Sequence, residues 1–261
     1  YGAQPPIEIL RQGMDATAYP ATGGWYDRKD SQHPFRSITD VLFFASMGPP
    51  GGGRAFITPR ILGMFYLAGF PLLDDDNMSQ IFTTILDWRF RVENYPGDIA
   101  ALSKKIVQAT LEIYKNTSQE LLPTPMKVHY TFNLRDFAKV VFGIMLLKKG
   151  ECDGVGRHIR LWAHEINRVF GDRLVDDGDR RWMLTQLRDQ TKKVFSASFD
   201  ELCGHLDANQ DGKVDTLDEV RTLFFGDMLS PAQLPKRPYA ECPDVSMLQQ
   251  EIEGHLAAHN E

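Results

Sequence analysis

Apolar positions follow two textures along this chain. In the first, a continuous apolar run, Val41-Leu42-Phe43-Phe44, stands between stretches rich in glycine and proline. Residues 38–46 therefore read as a buried strand. Pro5-Pro6 suits the first turn of a helix, where a missing N–H costs nothing. That helix carries Ile7, Ile9 and Leu10 and ends near Met14. Residues 16–34 read as a loop, and Thr58-Pro59 as a second helix start with Ile61, Leu62 and Phe65 on one face. After about residue 71 the spacing becomes helical. Asn77 is a candidate cap for a helix bearing Met78, Ile81, Ile85 and Trp88. Ile99, Leu102, Ile106, Ala109 and Ile113 share one face of the next. Asn133 caps another, with Leu134, Phe137, Val140, Val141 and Ile144 facing inward, and Ile159, Trp162, Ile166, Val169 and Phe170 mark the following one. Shorter helices fall near 179–190, 193–206 and 219–225, with a last one over about 245–258. The expected fold is an α/β remnant over residues 1–70, followed by a mainly α-helical region over 71–261.

Composition narrows the classes. A chain of 261 residues, 43% hydrophobic and 25% charged, has enough apolar material for one large or two smaller packed domains. A net charge of −6 without a basic stripe argues against a nucleic-acid partner. No apolar run approaches membrane-spanning length; Val140 to Leu147 is too short and runs into Lys148-Lys149, so no membrane partner is expected. Cys152, Cys203 and Cys242 match no zinc or disulfide spacing and read as reduced thiols. No signal peptide opens the chain, and Tyr1 in place of methionine reads as the start of a fragment.

Several patterns could carry chemistry. A strand feeding a glycine-rich turn, as Phe44 feeds the loop ending at Arg54, is how α/β nucleotide sites build one wall. Yet the chain holds no GxxxxGK[ST] and no acidic pair closing an apolar strand, so it cannot by itself cradle phosphates or hold magnesium. Asp207, Asn209, Asp211 and Asp215 fall at places one, three, five and nine of an EF-hand-like loop, with Gly212 at six and Val214 at eight. Place twelve is Asp218, one methylene shorter than the usual bidentate glutamate. Glu219 and the apolar set Val220, Leu223 and Phe224 fit the exit helix better if the loop holds one extra residue, so calcium binding is expected to be weak or absent. Trp162-Ala163-His164-Glu165 resembles a zinc helix, but Arg168 occupies the place of the second histidine, so HExxH fails. Asp74-Asp75-Asp76 reads as a solvated helix start, and Trp88, Trp162 and Trp182 as packing residues.

Seven segments in order carry a family resemblance. YGAQPPIEILRQ at 1–12, WYDRKD at 25–30, GPPGGGR at 48–54, TPR at 58–60, HYTFNLRDFAKV at 129–140, RLWAHEINRVFGDRL at 160–174 and VRTLFFGD at 220–227 resemble the third AAA+ module of axonemal dynein heavy chains, from just after Walker B through the helical lid. The resemblance implies ATP or ADP with magnesium in the complete module, the phosphate-cradling elements lying upstream of Tyr1. It makes Arg135 the lid arginine that reaches the phosphates, a role suited to a planar, permanently charged guanidinium. The plain reading of Arg135 is a surface arginine paired with Asp136. In the family an asparagine follows GPPGGGR and an arginine-histidine pair follows TPR after two residues. Here those places hold Ala55 and Gly63-Met64. Arg60 remains a weaker candidate for a finger into a neighbouring site, and Arg54 a possible substitute for the lost polar group. The implied role is a regulatory module that binds nucleotide with weak or no hydrolysis, in a motor driving ATP-dependent movement on microtubules. Implied partners are neighbouring AAA+ modules of the same heavy chain, the microtubule through the parent motor, and other dynein chains. The implied location is the cytoplasm and cytoskeleton, in the axoneme of a cilium or flagellum. Two alternatives stand beside it: a calcium-responsive module built on the EF-hand-like loop, and a structural ring segment without nucleotide.

Overall fold

The computed structural model describes residues 4–15, 23–38, 40–48, 56–71, 73–151, 154–207, 210–214, 216–229 and 237–260. The chain divides into two compact units, residues 1–72 and 73–261.

The first unit opens with α1 (Pro5–Met14), begun by proline as its sequence dictates. A short antiparallel pair follows, β1 (Gly24–Tyr26) with β2 (Phe35–Ser37), in the register Trp25 opposite Arg36. This hairpin corrects the loop expected over 16–34. Its strands have three residues each, too few for alternation to show in the sequence. The Trp25 ring lies over Gly13, where any Cβ would overlap it, and its Nε1 donates to the Ile9 carbonyl at 2.8 Å. α2 (Pro59–Leu62) is a single turn that buries Ile61.

The strand expected over 38–46 is not formed among the described residues. Residues 40–48 carry no ladder, and Leu42 and Phe44 are 83% and 92% exposed. The reason lies in hydrogen bonding. A buried strand needs neighbours for its N–H and C=O groups, and β1 and β2 pair only with each other.

The second unit is helical: α3 (Asp75–Val92), α4 (Gly97–Ala100), α5 (Leu102–Glu120), α6 (Leu134–Ile144), α7 (Val155–Ile166), α8 (Asp177–Gln190), α9 (Phe199–Leu202), α10 (Leu217–Arg221) and α11 (Val245–Asn260). Asp74 caps α3 by accepting from the Asn77 N–H at 2.8 Å, so the cap lies three residues before the asparagine expected to supply it. Asp75 also has a structural partner, Lys115, at 2.6 Å. α3 packs on α5, and α6 on α7. Leu86, Ile106, Ile113, Phe137, Val140, Ile144, Trp162 and Phe170 form the dry centre. α7 is buried almost throughout and continues into a π-helical turn, Asn167–Gly171. A second π-helical turn, Thr191–Phe195, extends α8 and stops at Ser196, whose φ of 57° is left-handed.

A second short hairpin, β3 (Phe224–Gly226) with β4 (Ala240–Cys242), was hidden from periodicity for the same reason as the first. It is clamped to α7. Arg160 grips Glu241 with two hydrogen bonds, at 2.6 and 2.7 Å, and Arg157 adds a third at 3.2 Å.

Candidate functional site

Arg135 stands in the first turn of α6, and that turn is tightly specified. The Asn133 side chain accepts from the Arg135 N–H at 2.9 Å, and the Asp136 carboxylate accepts from the Asn133 N–H at 3.2 Å, completing a capping box. The segment leading in is tied down as well. Lys127 reaches both Asp176 and Asp179 at 2.5 Å. The Tyr130 hydroxyl donates to Asp179 at 2.8 Å and accepts from the Val175 N–H at 3.0 Å. His129 Nε2 lies 2.8 Å from the Arg173 carbonyl, and Arg173 Nη1 donates to the Thr131 carbonyl at 3.2 Å.

The pairing of Arg135 with Asp136 is not made. Asp136 is buried, and its Oδ1 takes Lys139 at 3.0 Å and Arg173 at 3.2 Å. Burial pushes the Asp136 carboxyl up, but the Lys139 hydrogen bond and the Arg173 charge outweigh it and hold the group below the usual range. Arg135 itself is exposed, and its guanidinium has no ion pair among the described residues. The arrangement is a free, permanently charged donor fork at the positive end of a helix, a combination that attracts anions.

The other candidates are placed differently. Arg60 lies in α2 of the first unit, 68% exposed, with Nη2 3.7 Å from Glu8 Oε2. Glu8 is held more closely by Arg11, at 2.8 Å. Arg54 and Ala55 lie outside the described residues, as do Asn209 and Asp215. Gly63 closes α2 in an ordinary right-handed conformation.

In the EF-hand-like loop the carboxylates are turned to their own chain. Asp207 accepts from the Gln210 N–H at 2.8 Å and the Gly212 N–H at 2.7 Å, and Asp211 from the Lys213 N–H at 2.9 Å. Asp218 pairs with Arg221 at 2.5 Å. Glu219 closes a capping box with Thr216 at the start of α10. The Val214 N–H donates to Asp200 at 3.0 Å, and its carbonyl accepts from Arg188 at 2.8 Å, so side chains of its own chain close both backbone groups of place eight. Among the described residues no group of three or more His, Cys, Asp or Glu is placed to hold a metal ion.

His164 and Glu165 have structural partners instead of zinc. His164 Nδ1 lies 2.8 Å from the Leu223 carbonyl. Glu165 is fully buried, bonded to Arg168 at 2.5 Å and to the Tyr239 hydroxyl at 2.9 Å. Periodicity could not single out Tyr239, because it lies 74 residues from its partner. Burial, ahead of the opposing Glu165 charge, pushes the His164 pKa down, and burial does the same at His158. A histidine depressed in the folded state contributes stability that is fully present above the unfolded pKa of about 6.5. That contribution is lost as pH falls from there through the lower folded value. The melting temperature of the second unit is therefore expected to drop on acidification from about pH 6.5 to 5. Circular-dichroism melts check this, and a melting temperature that rises over that window contradicts it.

The AAA+ lid domain family matches residues 106–205, which include α6, α7 and α8, and the P-loop containing dynein motor region matches residues 1–72. The chain is 39% identical over 262 residues to dynein axonemal heavy chain 12 of Mus musculus, covering all of this chain and 8% of that protein. It is 38% identical over 260 residues to dynein axonemal heavy chain 3 of Homo sapiens, and 36% identical over 272 residues to human dynein axonemal heavy chain 1, in each case over all of this chain and 6% of the relative. The chain thus spans under a tenth of the length of these relatives. Relatives aligned from end to end of the chain, with one family match over the first unit and one within the second, lead to one conclusion: the chain belongs to the axonemal dynein heavy chain family and corresponds to a stretch of its AAA+ motor region.

Proposed function

We propose that this chain is the back half of a regulatory nucleotide-binding module, the third AAA+ module of an axonemal dynein heavy chain, and that Arg135 closes over the nucleotide phosphates. The observation that carries this reading is the Arg135 guanidinium, without an ion pair among the described residues, at the capped start of α6, with the neighbouring carboxylate neutralised by other cations. ATP or ADP suits that donor set, since a guanidinium matches phosphate oxygens with parallel N–H groups. Magnesium and the phosphate cradle belong to residues outside this sequence, which has no GxxxxGK[ST].

Turnover in the module is slow or absent in this reading. By the family resemblance, Ala55 takes the sequence place of a polar residue that would orient water, and Gly63 that of an arginine, which leaves Arg60 as the weaker candidate for a neighbouring site. Nucleotide state would then act by relaying strain around the ring to neighbouring modules, in a motor that moves along microtubules with other dynein chains in the axoneme. The segment 207–218 serves as a helix link, consistent with carboxylates already bonded to backbone N–H groups. Single-turnover hydrolysis measured on the complete module tests the assignment. Bound nucleotide with little product over many minutes is expected; ordinary ATPase rates contradict it.

A further inference from the structure

Arg173 lies 38 residues after Arg135, just beyond the π-helical turn that extends α7. Its side chain is three-quarters buried and touches the segment around Arg135 at three points. Nη1 donates to the Thr131 carbonyl at 3.2 Å, the guanidinium lies 5.1 Å over the Phe132 ring, and Nη2 donates to Asp136 Oδ1 at 3.2 Å. These contacts bracket Asn133, Leu134 and Arg135. They also settle the charge of Asp136, the carboxylate next to Arg135 in the chain. Left unneutralised, that carboxylate would compete for the Arg135 guanidinium and repel an anion approaching the start of α6. Lys139 shares the task, but it is 56% exposed and more screened by water.

We propose that Arg173 is a positioning residue for phosphate binding at Arg135: it fixes the backbone of residues 131–136 and occupies Asp136, leaving the Arg135 fork for the nucleotide. This rests on the reading of Arg135 given above. Arg173 touches no phosphate itself. A lysine in its place keeps the charge but cannot span Thr131 and Asp136 with one planar fork.

The test is stopped-flow release of a fluorescent ADP from the intact motor that contains this chain. Arg135→Ala is expected to speed one release phase about tenfold, the scale of one lost charge-assisted contact. Arg173→Ala should speed the same phase about three- to fivefold, with Arg173→Lys between it and the unmodified protein. The double variant should release no faster than Arg135→Ala alone, because both changes act through one contact. A residue that only supports the fold would add its factor in full. Full additivity, or release from Arg173→Ala at the unmodified rate, overturns the inference and leaves the reading of Arg135 standing. Unchanged release from Arg135→Ala overturns both. Should Arg173→Ala fail to fold, Arg173→Lys carries the same cycle.

Discussion

Trp162→Ala is expected to lower the unfolding free energy of the second unit by about 3–5 kcal/mol, the range for deleting a fully buried aromatic. Trp162 has no exposed surface, sits centrally on α7, and meets Phe195 at 5.1 Å between ring centroids. Its Nε1 donates to Thr110 Oγ1 at 3.0 Å, while Thr110 in turn donates to the Ile106 carbonyl. The substitution therefore opens a cavity against α5 and the π-helical turn after α8, and also removes a buried hydrogen bond. Trp88 makes the comparison. It is 56% exposed, so Trp88→Ala should cost about 0.5 kcal/mol or less. Urea unfolding followed by circular dichroism measures both. Equal losses at the two tryptophans would contradict the packing described.

Gly143→Ala should cost about 3 kcal/mol, although it adds a single methyl group in a helix and would otherwise favour helix formation. A Cβ at Gly143 would overlap the buried Glu165 carboxylate. That carboxylate cannot retreat without leaving Arg168 and the Tyr239 hydroxyl. Gly143 thus lets α6 and α7 approach closely enough to bury the Glu165 carboxylate, and forcing a buried charge off its partners is strongly destabilising. The same urea titration checks it; a stabilised Gly143→Ala variant would mean that α6 and α7 are not in this contact.

The long helices were legible because each carries its own periodic apolar face and packs on near neighbours, whereas the helix expected over 193–206 is interrupted at the left-handed Ser196 and the one expected over 219–225 gives way to β3 at Phe224. The faces through Ile106, Phe137 and Trp162 appear in the sequence as spacing and in the structure as core. Short strands were not legible: Gly24–Tyr26 and Phe224–Gly226 offer three residues each. The apolar run at Val41–Phe44 misled for the opposite reason. It has strand composition, but a strand also needs partners, and composition does not supply them. Trp88, Trp162 and Trp182 looked alike in sequence, yet of these Trp162 alone is fully buried, because burial depends on what packs opposite. Asn133 announced its capping box locally, since both halves lie within four residues. What frees Arg135 was invisible. Asp136 is claimed by Arg173 across 37 positions, a contact made by the fold and not by spacing. Glu165 was noticed only as part of a failed zinc motif, while its hydroxyl partner Tyr239 comes from a distant segment.

A structure of the intact motor with ADP bound tests the role of Arg135 most directly. The expected result is an Arg135 guanidinium nitrogen within about 3.2 Å of a phosphate oxygen, with Arg173 still on Asp136. A guanidinium in bulk solvent, with the nucleotide held by other residues or absent, would contradict the assignment.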